Sequence, residues 1–70
     1  MSLQIKEAPK QLIKRSQVEA LTSLSRSSIY RLMALSEFPK PINITSKAVA
    51  WVQSDVEAWI DDRISASKGL

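Results

Sequence analysis

Residues Ser16 to Leu35, SQVEALTSLSRSSIYRLMAL, constrain the fold of this 70-residue chain more than any other stretch. They divide into two short helical segments joined by the tight turn Ser23-Leu24-Ser25. Ser16 and Glu19 have the spacing of a capping box, in which a hydroxyl and a carboxylate satisfy each other's backbone amides. The first helix is therefore expected to begin at Ser16 and end near Thr22, with Val18 and Leu21 as its apolar stripe. Leu24 is the one apolar residue of the turn and is expected to point inward and set the angle between the helices. Ser25 is the N-cap candidate for the second helix. At about 100° per residue, Ile29, Leu32 and Met33 fall on one side of that helix, and Ser27, Tyr30, Arg31 and Ala34 on the other. Ser36 is expected to end it, and Pro39 forbids continuation.

The flanking segments complete a pattern. Residues 1–11 show no periodicity and read as a flexible arm. It ends in an extended piece, Gln11-Leu12-Ile13, whose apolar pair can pin it to the core. After the stiff Pro39-Lys40-Pro41, Ile42 and Ile44 alternate with Asn43, and Val49 and Trp51 alternate around Ala50. Two short alternating runs around the loop Thr45-Ser46-Lys47-Ala48 read as a β-hairpin. An isolated hairpin is marginal, so this one must pack on the helices, with Trp51 as its clasp. Ser54 and Glu57 form a second capping-box spacing, opening a last helix with Val56, Trp59, Ile60 and Ile64 on one face. Gly69 is its expected stop, with residues 67–70 a frayed tail. The order helix, turn, helix, hairpin, helix is mainly α with a small β-hairpin. It describes a winged helix-turn-helix over residues 12–66, whose second helix would enter a DNA major groove.

Composition narrows the function. The chain has no cysteine and no histidine, so disulfides, thiolate metal sites and imidazole chemistry are excluded. No apolar run approaches the roughly 20 residues that cross a bilayer, and the N-terminus lacks a signal-peptide block. The net charge of +3 is unevenly placed: residues 1–50 carry eight basic and three acidic side chains, residues 51–70 two basic and four acidic. A basic front and an acidic rear fit a polyanionic partner at the front.

Arg26, Ser27, Tyr30 and Arg31 form the strongest functional cluster. Arginine can pair bidentately with guanine O6 and N7 or with a phosphate, and first-turn residues of a recognition helix reach base edges. Thr45, Ser46 and Lys47 form the expected wing tip, with Lys47 placed for a flanking backbone or the minor groove. Lys14, Arg15 and Lys40 are candidate phosphate contacts. Trp51 and Trp59 have the spacing of core residues rather than of base-stacking platforms. The carboxylates Asp55, Glu57, Asp61 and Asp62 belong to a helix start and its solvent face, so no enzyme activity, cofactor or metal site is expected.

The ordered segments LSRSSIYRLM, FPKP, a hairpin ending VAW, and SDVEAWI resemble the AlpA family of phage-type regulators. These are small winged helix-turn-helix proteins related in fold to excisionases and to the DNA-binding domain of MerR regulators. The resemblance covers residues 12 to 64. It implies a regulator of a prophage or integrative element that binds double-stranded DNA and controls integrase or excision functions. The family's recognition segment maps onto Ser25, Arg26, Ser27, Ser28, Tyr30 and Arg31, and its wing onto Thr45 to Ala50. Three positions depart from the family pattern. Ser36-Glu37 stand where glycine often precedes Phe-Pro, so the recognition helix is expected to end differently. Ala50 replaces a glycine before the tryptophan. Lys47 stands where the wing usually carries arginine, keeping the charge but losing the planar fork.

The chain stops before any MerR-like dimerisation helix or effector domain, so no small-molecule effector and no membrane partner is expected. The free protein is expected to be a cytoplasmic monomer acting at the nucleoid, self-associating on DNA or meeting a recombinase there. Two other roles fit the same residues: an excisionase-like architectural factor, and a protein-interaction module that does not read DNA.

Overall fold

The computed structural model describes residues 10–68. Its elements run β1 (Leu12–Ile13), α1 (Arg15–Thr22), α2 (Arg26–Ala34), β2 (Ile42–Thr45), β3 (Ala48–Val52) and α3 (Gln53–Lys68). This is the architecture of a winged helix-turn-helix. The hairpin is part of a three-stranded antiparallel sheet in the order β1-β3-β2. Leu12-Ile13, expected only as an extended pin, supplies the third strand. Most of the expected arm lies outside the described residues, as does Gly69. Ser67 and Lys68, expected in the tail, are helical.

The sheet positions the helices through one side chain. Trp51 lies on the central strand, is fully buried, and pairs across the sheet with Ile13. Val18 of α1, Ile29 of α2, Phe38 and Val56 of α3 complete the core cluster around them. Leu24, Leu32 and Met33 pack against its edge, as their spacing predicts. The Trp51 indole N–H donates to the Pro39 carbonyl at 3.0 Å, so the ring also fastens the hairpin to the segment that follows α2.

Helix starts differ from the capping-box reading. α1 begins at Arg15, one residue early, because β1 ends at Ile13 and leaves Lys14 as the cap. A lysine ammonium cannot accept a hydrogen bond, so the bond runs the other way: Gln17 Oε1 accepts from the Lys14 amide at 2.9 Å. Glu19 instead pairs with Arg15 at 3.0 Å. α3 begins at Gln53, directly after β3, with Ser54 already inside the helix. The Gln53 amide donates to the Gln11 carbonyl at 2.8 Å, tying the helix start to the strand before α1. Its side chain, not Ser54, engages Glu57, at 2.8 Å.

The expected ending of α2 is also corrected. Ser36 adopts the left-handed conformation, φ 61°. The Glu37 amide donates to the Leu32 carbonyl at 2.8 Å and the Ser36 amide to the Met33 carbonyl at 3.0 Å. These are the two bonds of a Schellman motif, made by serine in the position glycine favours.

Two apolar stripes are narrower than their periodicity implies. Leu21 and Ile64 remain 45% and 48% exposed, because α1 spans two turns and the last turns of α3 run past the core. Trp59 is only half-buried. It meets Phe38 edge-on at 4.9 Å and donates its indole N–H to the Glu37 carbonyl at 2.8 Å. The hairpin register differs too. Ile42 pairs with Ala50, on the sheet face opposite Trp51, and the step from Asn43 to Thr45 against Val49 to Ala48 leaves Ile44 as the extra residue of a bulge. Both isoleucines are consequently exposed.

Trp51→Ala is expected to remove about 3–5 kcal/mol, close to the whole stability of a domain this small. Trp59→Ala costs less, roughly 1–3 kcal/mol. Urea denaturation followed by circular dichroism orders the two, and equal losses would contradict the separation of core from rim. Ser36→Gly is expected to raise stability by roughly 0.5–1 kcal/mol, relief of the left-handed strain being partly offset by glycine's unfolded-state freedom. An unchanged or lower urea midpoint would show that Ser36 carries no strain.

Candidate nucleic-acid interface

The exposed side of α2 is built outward from its cap. Ser25 has extended backbone angles, and its hydroxyl oxygen accepts from the Ser28 amide at 3.2 Å. The same hydroxyl lies 3.1 Å from the Ser28 hydroxyl. Of the six recognition positions, Ser25 and Ser28 are thus engaged with each other, and Ser28 is half-buried. Arg26, Ser27, Tyr30 and Arg31 are exposed, while Ile29 between them is fully buried. A single helix therefore separates four solvent-facing groups from an anchor in the core. Arg26 and Ser27 open its first turn, and Arg31 lies in its last.

These groups are arranged as well as exposed. The Arg26 guanidinium lies over the Tyr30 ring, 5.6 Å from its centroid. The spacing of four residues that places them on one helix face was visible in the sequence. Among the described residues Arg31 has no ion-pair partner. Nine residues make α2 about 13 Å long, comparable with the width of the major groove, about 12 Å.

The wing tip is tighter than the four-residue loop expected. Thr45 and Ala48 belong to the strands, leaving Ser46 and Lys47 as the turn. The Thr45 hydroxyl accepts from the Lys47 amide at 3.2 Å, so Thr45 closes the turn while Ser46 and Lys47 project at its end. All three are exposed.

The remaining basic candidates have unlike surroundings. Lys14 is exposed at the start of α1, Lys40 is exposed between two prolines, and the Arg15 guanidinium is held by Glu19. A phosphate at Arg15 would compete with that carboxylate.

One other part of the surface is acidic. An open cleft of about 440 Å³ behind the end of α2 has Glu37, Asp55 and Asp62 beside Phe38, Pro39 and Trp59. Carboxylates there repel a polyanion, in contrast to the arginines and lysine exposed on α2 and the wing. The stacking of Arg63 on Trp59, at 4.9 Å, belongs to this side and had no part in the sequence reading. Among the described residues no group of three carboxylates is arranged to hold a metal ion, and no helix is long and apolar enough to cross a membrane.

Comparison with known proteins adds an independent line. Residues 11–64 match the sequence profile of a family described as the prophage CP4-57 regulatory protein, AlpA. An uncharacterized protein of Enterobacteria phage P4, ORF88, is 44% identical over 52 residues, which is 74% of this chain. The matched region spans 59% of the length of that phage protein.

Proposed function

The chain belongs to the AlpA family of prophage regulatory proteins, and from that premise we propose that it is a sequence-specific DNA-binding transcriptional regulator of a prophage or integrative element. Its targets are the genes of integration and excision. The observation that carries this reading is the exposed face of α2, where Arg26, Ser27, Tyr30 and Arg31 stand free of the core on a helix anchored by Ile29.

In this reading α2 lies in a major groove with its first turn toward the base edges. Arg26 and Ser27 face acceptors there, and Arg31, in the last turn, reaches a further base edge along the groove. Ser25 and Ser28 hold the helix start in shape, and with the Ser28 amide already satisfied by Ser25 the amides of Arg26 and Ser27 remain for a phosphate. Ser46 and Lys47 at the wing tip meet the flanking backbone. Lys14, Arg15 and Lys40 add phosphate contacts, Arg15 the least because Glu19 already neutralises it. A single helix and wing bury little surface, so selectivity comes from several copies on neighbouring sites or from a recombinase bound beside them.

With roughly five phosphates neutralised, the logarithm of the affinity is expected to fall with log salt at a slope of about −4 to −5. Fluorescence anisotropy on labelled duplexes at a series of salt concentrations measures it. A slope near zero would remove the electrostatic basis of the reading.

Arg31→Ala is expected to weaken binding by about 1–3 kcal/mol on its preferred duplex and to relax selectivity at one position. Lys47→Ala should weaken binding to all duplexes alike and reduce the salt slope by about one. Equal losses on selected and random DNA for Arg31→Ala would reassign that side chain to the backbone.

A further inference from the structure

Arg26 occupies a position that helix energetics disfavour. It is the first residue of α2, where a positive charge opposes the helix dipole, and no acidic residue in that turn offsets it. What the side chain does have is Tyr30, one turn on, with the guanidinium 5.6 Å from the ring centroid. Tyr30 is 40% exposed and stands outside the core cluster. Among the described residues its hydroxyl makes no hydrogen bond, so its structural contribution is not that of a buried tyrosine tethered by its phenol.

The other arginines are placed differently. Arg15 gives its donor edge to Glu19, Arg63 stacks on Trp59 along α3, and Arg31 has no ring against it. Arg26 alone combines a place on the exposed face of α2 with a cation–π contact to a ring. A cation–π contact is made to the face of the ring and leaves the N–H donors of the guanidinium free for an acceptor. A guanidinium so held presents a two-pronged edge. A free one at the same position would sweep across phosphates and bases alike.

We propose that Tyr30 is a positioning residue for Arg26. Its ring holds the guanidinium in a plane from which it pairs with O6 and N7 of a single guanine. This rests on the DNA-reading role argued above for α2. Tyr30 thereby sets selectivity at one base pair through Arg26, and the ring, not the hydroxyl, performs the task.

The test uses the full 70-residue chain and a library of duplexes with a randomised central segment, from which the preferred sequence is selected. Arg26→Ala identifies the position that Arg26 reads, as the one where preference for guanine is lost. At that position Tyr30→Leu is expected to lower the preference for guanine over adenine about two- to fivefold. Tyr30→Phe should keep it within about twofold of the parent, since the aromatic face persists. Other positions and the salt slope should be unchanged in both, and in an Arg26→Ala background Tyr30→Leu should change nothing further there. Because Tyr30 lies at the surface, the variants are expected to fold, which far-ultraviolet circular dichroism checks.

Full retention of guanine preference in Tyr30→Leu would overturn the proposal. So would the same loss persisting without Arg26, since Tyr30 would then touch DNA directly. A loss in Tyr30→Phe equal to that in Tyr30→Leu would assign the effect to the hydroxyl and overturn it as well. If the parent chain selects no duplex at all, the DNA-reading role of α2 fails, and the positioning role fails with it.

Discussion

The three helices of this domain are gathered around one indole. Trp51 stands on the central strand with its side chain wholly buried, and each helix sends a residue to it or to its immediate neighbours. A chain of this size has room for a single core, and a large flat ring fills such a space with little conformational freedom to lose. The polar end of the ring must still be satisfied, and the Pro39 carbonyl does so. Proline has no N–H to offer and its torsion is restricted, so a carbonyl held at a fixed angle is what Pro39 can supply. The same contact therefore closes the core and sets where the hairpin leaves the helical layer.

The exposed face of α2 inherits its placement from that arrangement. Ile29 presses the helix onto the core, Ser25 satisfies its first turn, and the left-handed Ser36 closes its last. Three constraints on three different sides leave a nine-residue helix little room to pivot. Its solvent-facing side chains then project from a constrained base, which is what the proposed reading of base edges requires. The wing follows similar logic at smaller scale, with the Thr45 hydroxyl holding the turn that carries Ser46 and Lys47.

What the sequence revealed, and what it concealed, follows from the range of each signal. The face of α2 was legible because Ile29, Leu32 and Met33 repeat at helical spacing beside a serine cap, all within one short segment. Periodicity gives direction but not the extent of the core, so Leu21 and Ile64 were placed inside when the packing stops short of them. The alternation of Ile42 and Ile44 about Asn43 implies a regular strand. The register instead pairs Ile42 with Ala50 and makes Ile44 a bulge, which depends on how β3 is already held by β1. The starts of α1 and α3, unlike the Ser25 start of α2, depart from their capping-box spacing for a related reason: a hydroxyl three residues before a glutamate is common, while these starts follow the strand ends at Ile13 and Val52. At the site, the exposed residues were legible as a group. The engagement of Ser25 with Ser28 and the stacking of Arg26 on Tyr30 are pairwise facts of geometry, though the second had its spacing in plain view.

The separation between the buried and outer sides of α2 has a consequence for heredity. Ile29 and the two end constraints carry the helix, while Ser27, Tyr30 and Arg31 carry none of the core. A mutation at one of the outer positions alters what the helix meets without deciding whether the domain folds. Descendants of this chain can therefore exchange those side chains while the scaffold stays the same. Under the DNA-reading role proposed for α2, such exchanges would redirect the helix to a new site without first costing the domain its stability.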